Sequence, residues 1–169
     1  LGPDQKVSMK KYLIDVGLIN TKAEITALGS LLSKLLSKDE KTVWQIIWVN
    51  LCINSDLFRW YIQSLPWGSV WRKEELIQMI MQSAQSQERT ARNAINALTN
   101  TFEESPLGEW FGKRVSRGSY LKKGVESIKP CAFTYAIYTL GPERKEKLMH
   151  IFGISNDEVE MNLGSMVMD

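Results

Sequence analysis

Between Gln87 and Thr101 the chain carries Arg89, Thr90, Arg92, Asn93, Asn96 and Asn100. Their guanidinium, hydroxyl and amide groups are the donors and acceptors that hydrogen-bond phosphate oxygens and base edges. Ala91, Ala94, Ile95, Leu98 and Phe102 recur at helical spacing through the same stretch, so the polar groups fall mostly on the opposite face of one helix. Asn opposes helix propensity, and three of them on an outward face call for a reason beyond solvation. Recognition of nucleic acid is that reason; a plain solvated face is the alternative. A second set follows, Lys113, Arg114, Arg117, Lys122 and Lys123, in a span from Trp110 to Val125 that holds no acid. Cations so grouped suit phosphates, each contact adding about 0.9 to the slope of log affinity against log salt. A well-solubilised hairpin would have the same composition.

The residues needed for catalysis are not grouped in this way. His150, the sole histidine, sits in an apolar helical pattern beside Leu148 and Ile151 and reads as structural or partly exposed. Gly108 to Lys113 lacks the glycine and lysine spacing of a phosphate loop and does not lead from a strand into a helix. The pairs Glu74 and Glu75, and Glu103 and Glu104, are helix neighbours about 100° apart that do not converge on one substrate. Cys52, Cys131 and His150 have no metal-ligand spacing, and the two lone cysteines read as buried thiols of a reducing compartment. The expectation is a non-catalytic fragment with no metal and no cofactor.

The elements that position these groups follow from periodicity and punctuation. A first helix from Asp4 ends near Gly17, the extended segments around Ile19 and Ile25 turn back on each other, and Thr26 caps a helix to Ser37 with Leu28, Leu31, Leu32, Leu35 and Leu36 inward. Two Trp-rich helices, about 39–53 and 56–65, are dense enough in apolar residues to be deeply buried. Pro66 ends the second, an extended link runs through Val70 and Trp71, and Lys73 opens a helix to Gln82. Ser86 is the candidate cap of the polar helix 87–101, and residues 108–124 read as a hairpin turning near Arg117 and Gly118. Beyond Pro130 come a helix that stops at Gly141 and Pro142, another from Glu143 to Phe152, and a last segment capped by Ser155 with a frayed Met161 to Met168 end. The six Trp residues are assigned to core packing.

The fold class expected is therefore mainly α, with a winged-helix module made of a helix-turn-helix and a β-hairpin. It divides into an N-terminal helical region at 1–53, the winged helix at 54–128 and a C-terminal helical region at 129–169 that continues beyond Asp169. In such a module the helix 87–101 takes the recognition position, and a wing beside it brings up to seven cations to one surface. A net charge of +2 points to no partner by itself. The longest apolar stretch, Val43 to Ile53, is about half of the roughly 20 residues a membrane span needs. The start at Leu1-Gly2-Pro3-Asp4 suits a cut-out piece better than a signal peptide, and the compartment expected is the cytoplasm.

Several short elements, Tyr12 to Ile19, Ile25-Thr26-Ala27-Leu28-Gly29, Arg72-Lys73-Glu74-Glu75-Leu76 and Ser105-Pro106-Leu107-Gly108, give the chain a likeness to a known family. Through them the chain resembles the bacterial domain-of-unknown-function family 4007 over most of its length, with Ile25 where Leu is usual. The resemblance implies a protein encoded with or fused to phosphoadenosine phosphosulfate reductase-like sulfur-transfer proteins, some linked to DNA sulfur modification. It carries no catalytic residues. Two functions are expected in order: an accessory domain binding nucleic acid, most naturally DNA, and an adaptor docking a sulfur-transfer enzyme. An enzyme in its own right ranks third: it would need a phosphate cradle or a reactive cysteine, and would regain ground with Cys131 exposed and its pKa depressed.

Overall fold

A computed structural model of the chain describes residues 3–141 and 144–167, a mainly helical protein with one small sheet. Pro142, Glu143, the first two residues and the last two, Met168 among them, lie outside the described residues. The helices in order are α1 (Pro3–Asp15), α2 (Ala27–Leu35), α3 (Glu40–Asn54) and α4 (Asp56–Ser64). Then come β1 (Val70–Arg72), α5 (Lys73–Ala84), α6 (Glu88–Glu103), the single turn α7 (Gly108–Phe111), β2 (Lys113–Ser116) and β3 (Ser119–Leu121). The helices α8 (Pro130–Leu140), α9 (Arg144–Phe152) and α10 (Asn156–Val167) complete the chain.

The axle is α3. Asp39 starts it by accepting from the Thr42 amide at 3.2 Å, and from Thr42 to Cys52 all residues but Trp44 are buried. A helix apolar on all sides can only be central. Its two buried amides each satisfy themselves against other segments. The Asn50 side chain donates to the Val16 carbonyl at 2.8 Å and accepts from the Tyr135 hydroxyl at 2.7 Å. Gln45 donates to the Ser127 carbonyl at 3.0 Å and accepts from the Lys129 amide at 2.8 Å. Trp48 adds a third tie, its Nε1 donating to the Ile151 carbonyl at 2.6 Å while its ring stacks on Phe111 at 3.9 Å. One cluster of buried residues, from Val16 through Val159, runs around this helix.

The sheet is antiparallel with strand order β1, β3, β2. Trp71 lies opposite Tyr120, their rings stacked at 4.6 Å, and a bulge between Arg114 and Ser116 interrupts the β2 register. Gly118 makes the turn with φ of +71°, a conformation glycine adopts without a Cβ penalty.

Several expectations need correction. Leu31 and Leu36 are exposed because residues 28, 32 and 35 alone hold the centre of the α2 stripe, leaving these two on its flanks. Ser86 does not cap α6: Gln87 stands at that position and the Ser86 hydroxyl is buried without a hydrogen-bond partner. Residues 108–111, read as the start of the hairpin, form α7, whose Gly108 sits so tightly on α6 that a Cβ there would lie 2.1 Å from the Phe102 carbonyl oxygen. Cys131 is exposed on the first turn of α8, and only Cys52 is a buried thiol. Thr26 caps α2 as expected, accepting from the Gly29 amide at 2.9 Å, and Ile19 pairs with Ile25.

Candidate nucleic-acid interface

The helix α6 buries Ala91, Ile95, Leu98, Thr99 and Phe102 and leaves Arg89, Thr90, Arg92, Asn93 and Asn100 exposed, with Asn96 half-buried. This division follows from 3.6-residue periodicity, and it keeps the Asn amides outside the core, where they bond water or a ligand. At the C-terminal end Glu103 and Phe102 face the hairpin. The Tyr120 hydroxyl donates to the Glu103 carboxylate, and Arg114 lies 3.5 Å from the same group. Burial and then that carboxylate push the Tyr120 pKa up to about 12, so its hydroxyl stays a donor.

Nine of the ten residues expected at the interface reach the surface, and Lys122 does not. Its ammonium is fully enclosed and donates to three carbonyls at the C-terminal end of α4, those of Tyr61 at 3.1 Å, Ile62 at 2.9 Å and Leu65 at 2.6 Å. It also lies 4.2 Å from the centre of the Trp67 ring and 5.0 Å from that of Tyr61. Lys122 therefore caps a helix end from another segment and is withdrawn from the phosphate-binding set. The signal was in the strand period: Tyr120 points inward, and two residues on Lys122 points the same way.

The remaining cations form two groups rather than one surface of seven. Arg89 and Arg92 stand on the first turns of α6. The second group lies by the C-terminal end of that helix, about 16 Å along its axis from Arg92 to Glu103 at 1.5 Å per residue. Here the hairpin brings Lys113, Arg114 and Arg117 together with two cations that the sequence reading missed. Arg72 pairs across the sheet with Ser119, and the Lys73 amide donates to the Gly118 carbonyl at 3.0 Å, so both border the Arg117 turn. Lys123 sits beyond the sheet, beside Glu126.

Carboxylates accompany most of these groups. Arg92 bonds Glu88 at 2.7 Å, Lys113 bonds Glu109 at 2.9 Å, and Lys123 meets Glu126. The Glu109 hydrogen bond raises the Lys113 pKa, and the Lys123 hydrogen bond lowers that of Glu126. The first two pairs are i, i+4 neighbours, legible from spacing alone. Among the described residues Arg89 and Arg117 have no such ion pair. No group of three or more potential metal ligands is present among the described residues, and no described helix is long and apolar enough to cross a membrane. Against protein-family models, curated proteins and solved structures alike, the chain finds no match.

Proposed function

We propose that residues 56–121 form a winged-helix module that binds duplex nucleic acid, α6 supplying contacts to bases and backbone and the β2–β3 hairpin contacts to phosphates. The observation that carries this reading is the outward face of α6, on which exposed Asn93, half-buried Asn96 and exposed Asn100 lead from Arg89 and Arg92 toward the cations of the hairpin. The order of helix, strand, helix, helix and hairpin, with the strands arranged β1, β3, β2, supports it as well. The ion pairs along the face do not oppose it strongly, because exposed pairs are worth about 0–1 kcal/mol and a phosphate can take the place of a carboxylate.

Fluorescence anisotropy with random duplex DNA across a salt series tests the proposal. Binding in the micromolar range with a log–log salt slope of about −3 is expected if Arg89, Arg92 and Arg117 each engage a phosphate. Changing these three to Ala removes that slope; absence of binding by the parent chain at low salt overturns the reading.

A second reading, an adaptor that docks a protein, is favoured by one specific observation. Glu88, Glu103, Glu109 and Glu126 intersperse both signs of charge across the same face, which suits a mixed-charge partner better than a polyanion. A sulfur-transfer enzyme as that partner rests on the short sequence elements alone, and the cytoplasmic setting that goes with it on the two lone cysteines.

A further inference from the structure

The outward line of α6 is occupied by amides. With about 3.6 residues per turn, Arg89, Asn93, Asn96 and Asn100 fall within about 60° of arc, and Ala97 stands exposed beside them. Elsewhere in the chain Asn20, Asn50 and Asn54 each donate from the side-chain amide to another group of the protein, the Glu24 carboxylate, the Val16 carbonyl and the Asp15 carbonyl. Among the described residues the three amides of α6 make no such bond. Each is also a poorer helix former than Ala, so the helix carries three unengaged amides against its own propensity.

The chemistry of an amide decides what such a line recognises. It sets one acceptor beside one donor group. On the major-groove edge of a base that arrangement matches adenine, whose N6 donates to the amide oxygen while its N7 accepts from the amide nitrogen; guanine shows two acceptors there and suits an arginine. Arg89 stands only at the start of the line, and Arg92 lies to its side, bonded to Glu88 at 2.7 Å. The exposed Ala97 methyl keeps the surface low between the amides and suits contact with the methyl of thymine. Asn93 and Asn100 are about 10 Å apart along the axis, the rise of about three base pairs at roughly 3.4 Å each. Glu104, one turn beyond Asn100, ends the line with a charge that repels phosphate. A helix enters the major groove of B-form DNA, whereas that of duplex RNA is deep and narrow.

We propose that α6 reads a short run of A·T base pairs in the major groove of duplex DNA, Asn93 and Asn100 each pairing with an adenine edge through both atoms of the amide, with Asn96 and Ala97 between them. The inference rests on the winged-helix reading and adds to it the base that the helix selects.

Anisotropy competition at fixed salt, using two duplexes with identical flanks and either A·T or G·C pairs through the central helical turn, tests this. The A·T duplex binds the whole chain at least about tenfold tighter. Placing 7-deazaadenine in that turn removes the major-groove N7 while keeping base pairing and the minor groove, and it abolishes the preference. Asn93→Ala combined with Asn100→Ala abolishes it too, with the salt slope unchanged because the phosphate contacts remain. Ala is the better helix former at both exposed positions, and a thermal midpoint at or above the parent's shows that the variant is folded. Equal affinity for the two duplexes, or a preference that survives either 7-deazaadenine or the double substitution, overturns adenine reading and leaves the winged helix standing. Absence of salt-dependent binding to either duplex overturns both.

Discussion

An ammonium enclosed by three carbonyls and two ring faces has given up its water, and at Lys122 that loss outweighs what the carbonyls return, pushing its pKa down to about 7. An unfolded chain holds this lysine near 10.4, so between about 7 and 10 the unfolded state binds more protons than the folded one. Stability therefore rises with pH across that window and is lowest below about 7, by up to about 1.4 kcal/mol per unit where the two states differ by a full proton. Urea unfolding of the parent and of Lys122→Met from pH 6 to 10 checks this: the parent gains stability with pH relative to the variant, whereas parallel profiles contradict it. The cost of carbonyls left without a donor in the variant, about 1–3 kcal/mol, is the same at every pH and so leaves the difference in slope intact. The same residue marks the limit of reading a basic run as a surface. Lys113, Arg114 and Arg117 do lie outside as their composition suggests, but the two-residue alternation that turns Tyr120 inward carries Lys122 with it.

Elements in this protein are joined by polar staples and close backbone approaches as much as by apolar faces. Asn50 joins the end of α1 to α3 and to α8, and Asn50→Ala should cost about 2 kcal/mol by leaving the Val16 carbonyl and the Tyr135 hydroxyl unpaired, read as a lower unfolding midpoint at constant slope. Gly108→Ala should cost more than about 2 kcal/mol, since its new methyl meets the Phe102 backbone rather than a yielding side chain. A Gly108→Ala protein as stable as the parent would show that α7 can lift from α6. Most helices and the hairpin turn were legible in the sequence because periodicity, Thr26, Gly17 and Gly118 all act locally. What was not legible depends on tertiary contact. Single-turn α7 is too short for a periodic signal, Leu31 faces water because α2 packs through only part of its stripe, and Ser86 passes its capping position to Gln87. Within the candidate interface, the α6 stripe was visible in the spacing, but the separation of its cations from those of the hairpin was not. That separation is set by the hairpin packing at the Glu103 end.

At the scale of the molecule, α3 gathers segments from both ends of the chain around one cluster of buried residues. Tryptophan fluorescence and far-ultraviolet circular dichroism should report coincident urea transitions, because Trp48 touches the Phe111 ring and the Ile151 carbonyl and cannot be released while either half stays packed. Two separated transitions would show that the helices after β3 fold apart from the rest. Equally, the hairpin is not a free appendage. Its base is pinned through Lys122, its middle through the Trp71 and Tyr120 stack, and its turn through the Lys73 amide. If this face binds as proposed, its partner meets an already ordered loop, and little conformational entropy is lost there. Association can proceed as rigid docking, with its rate governed by encounter and electrostatic steering rather than by any folding step.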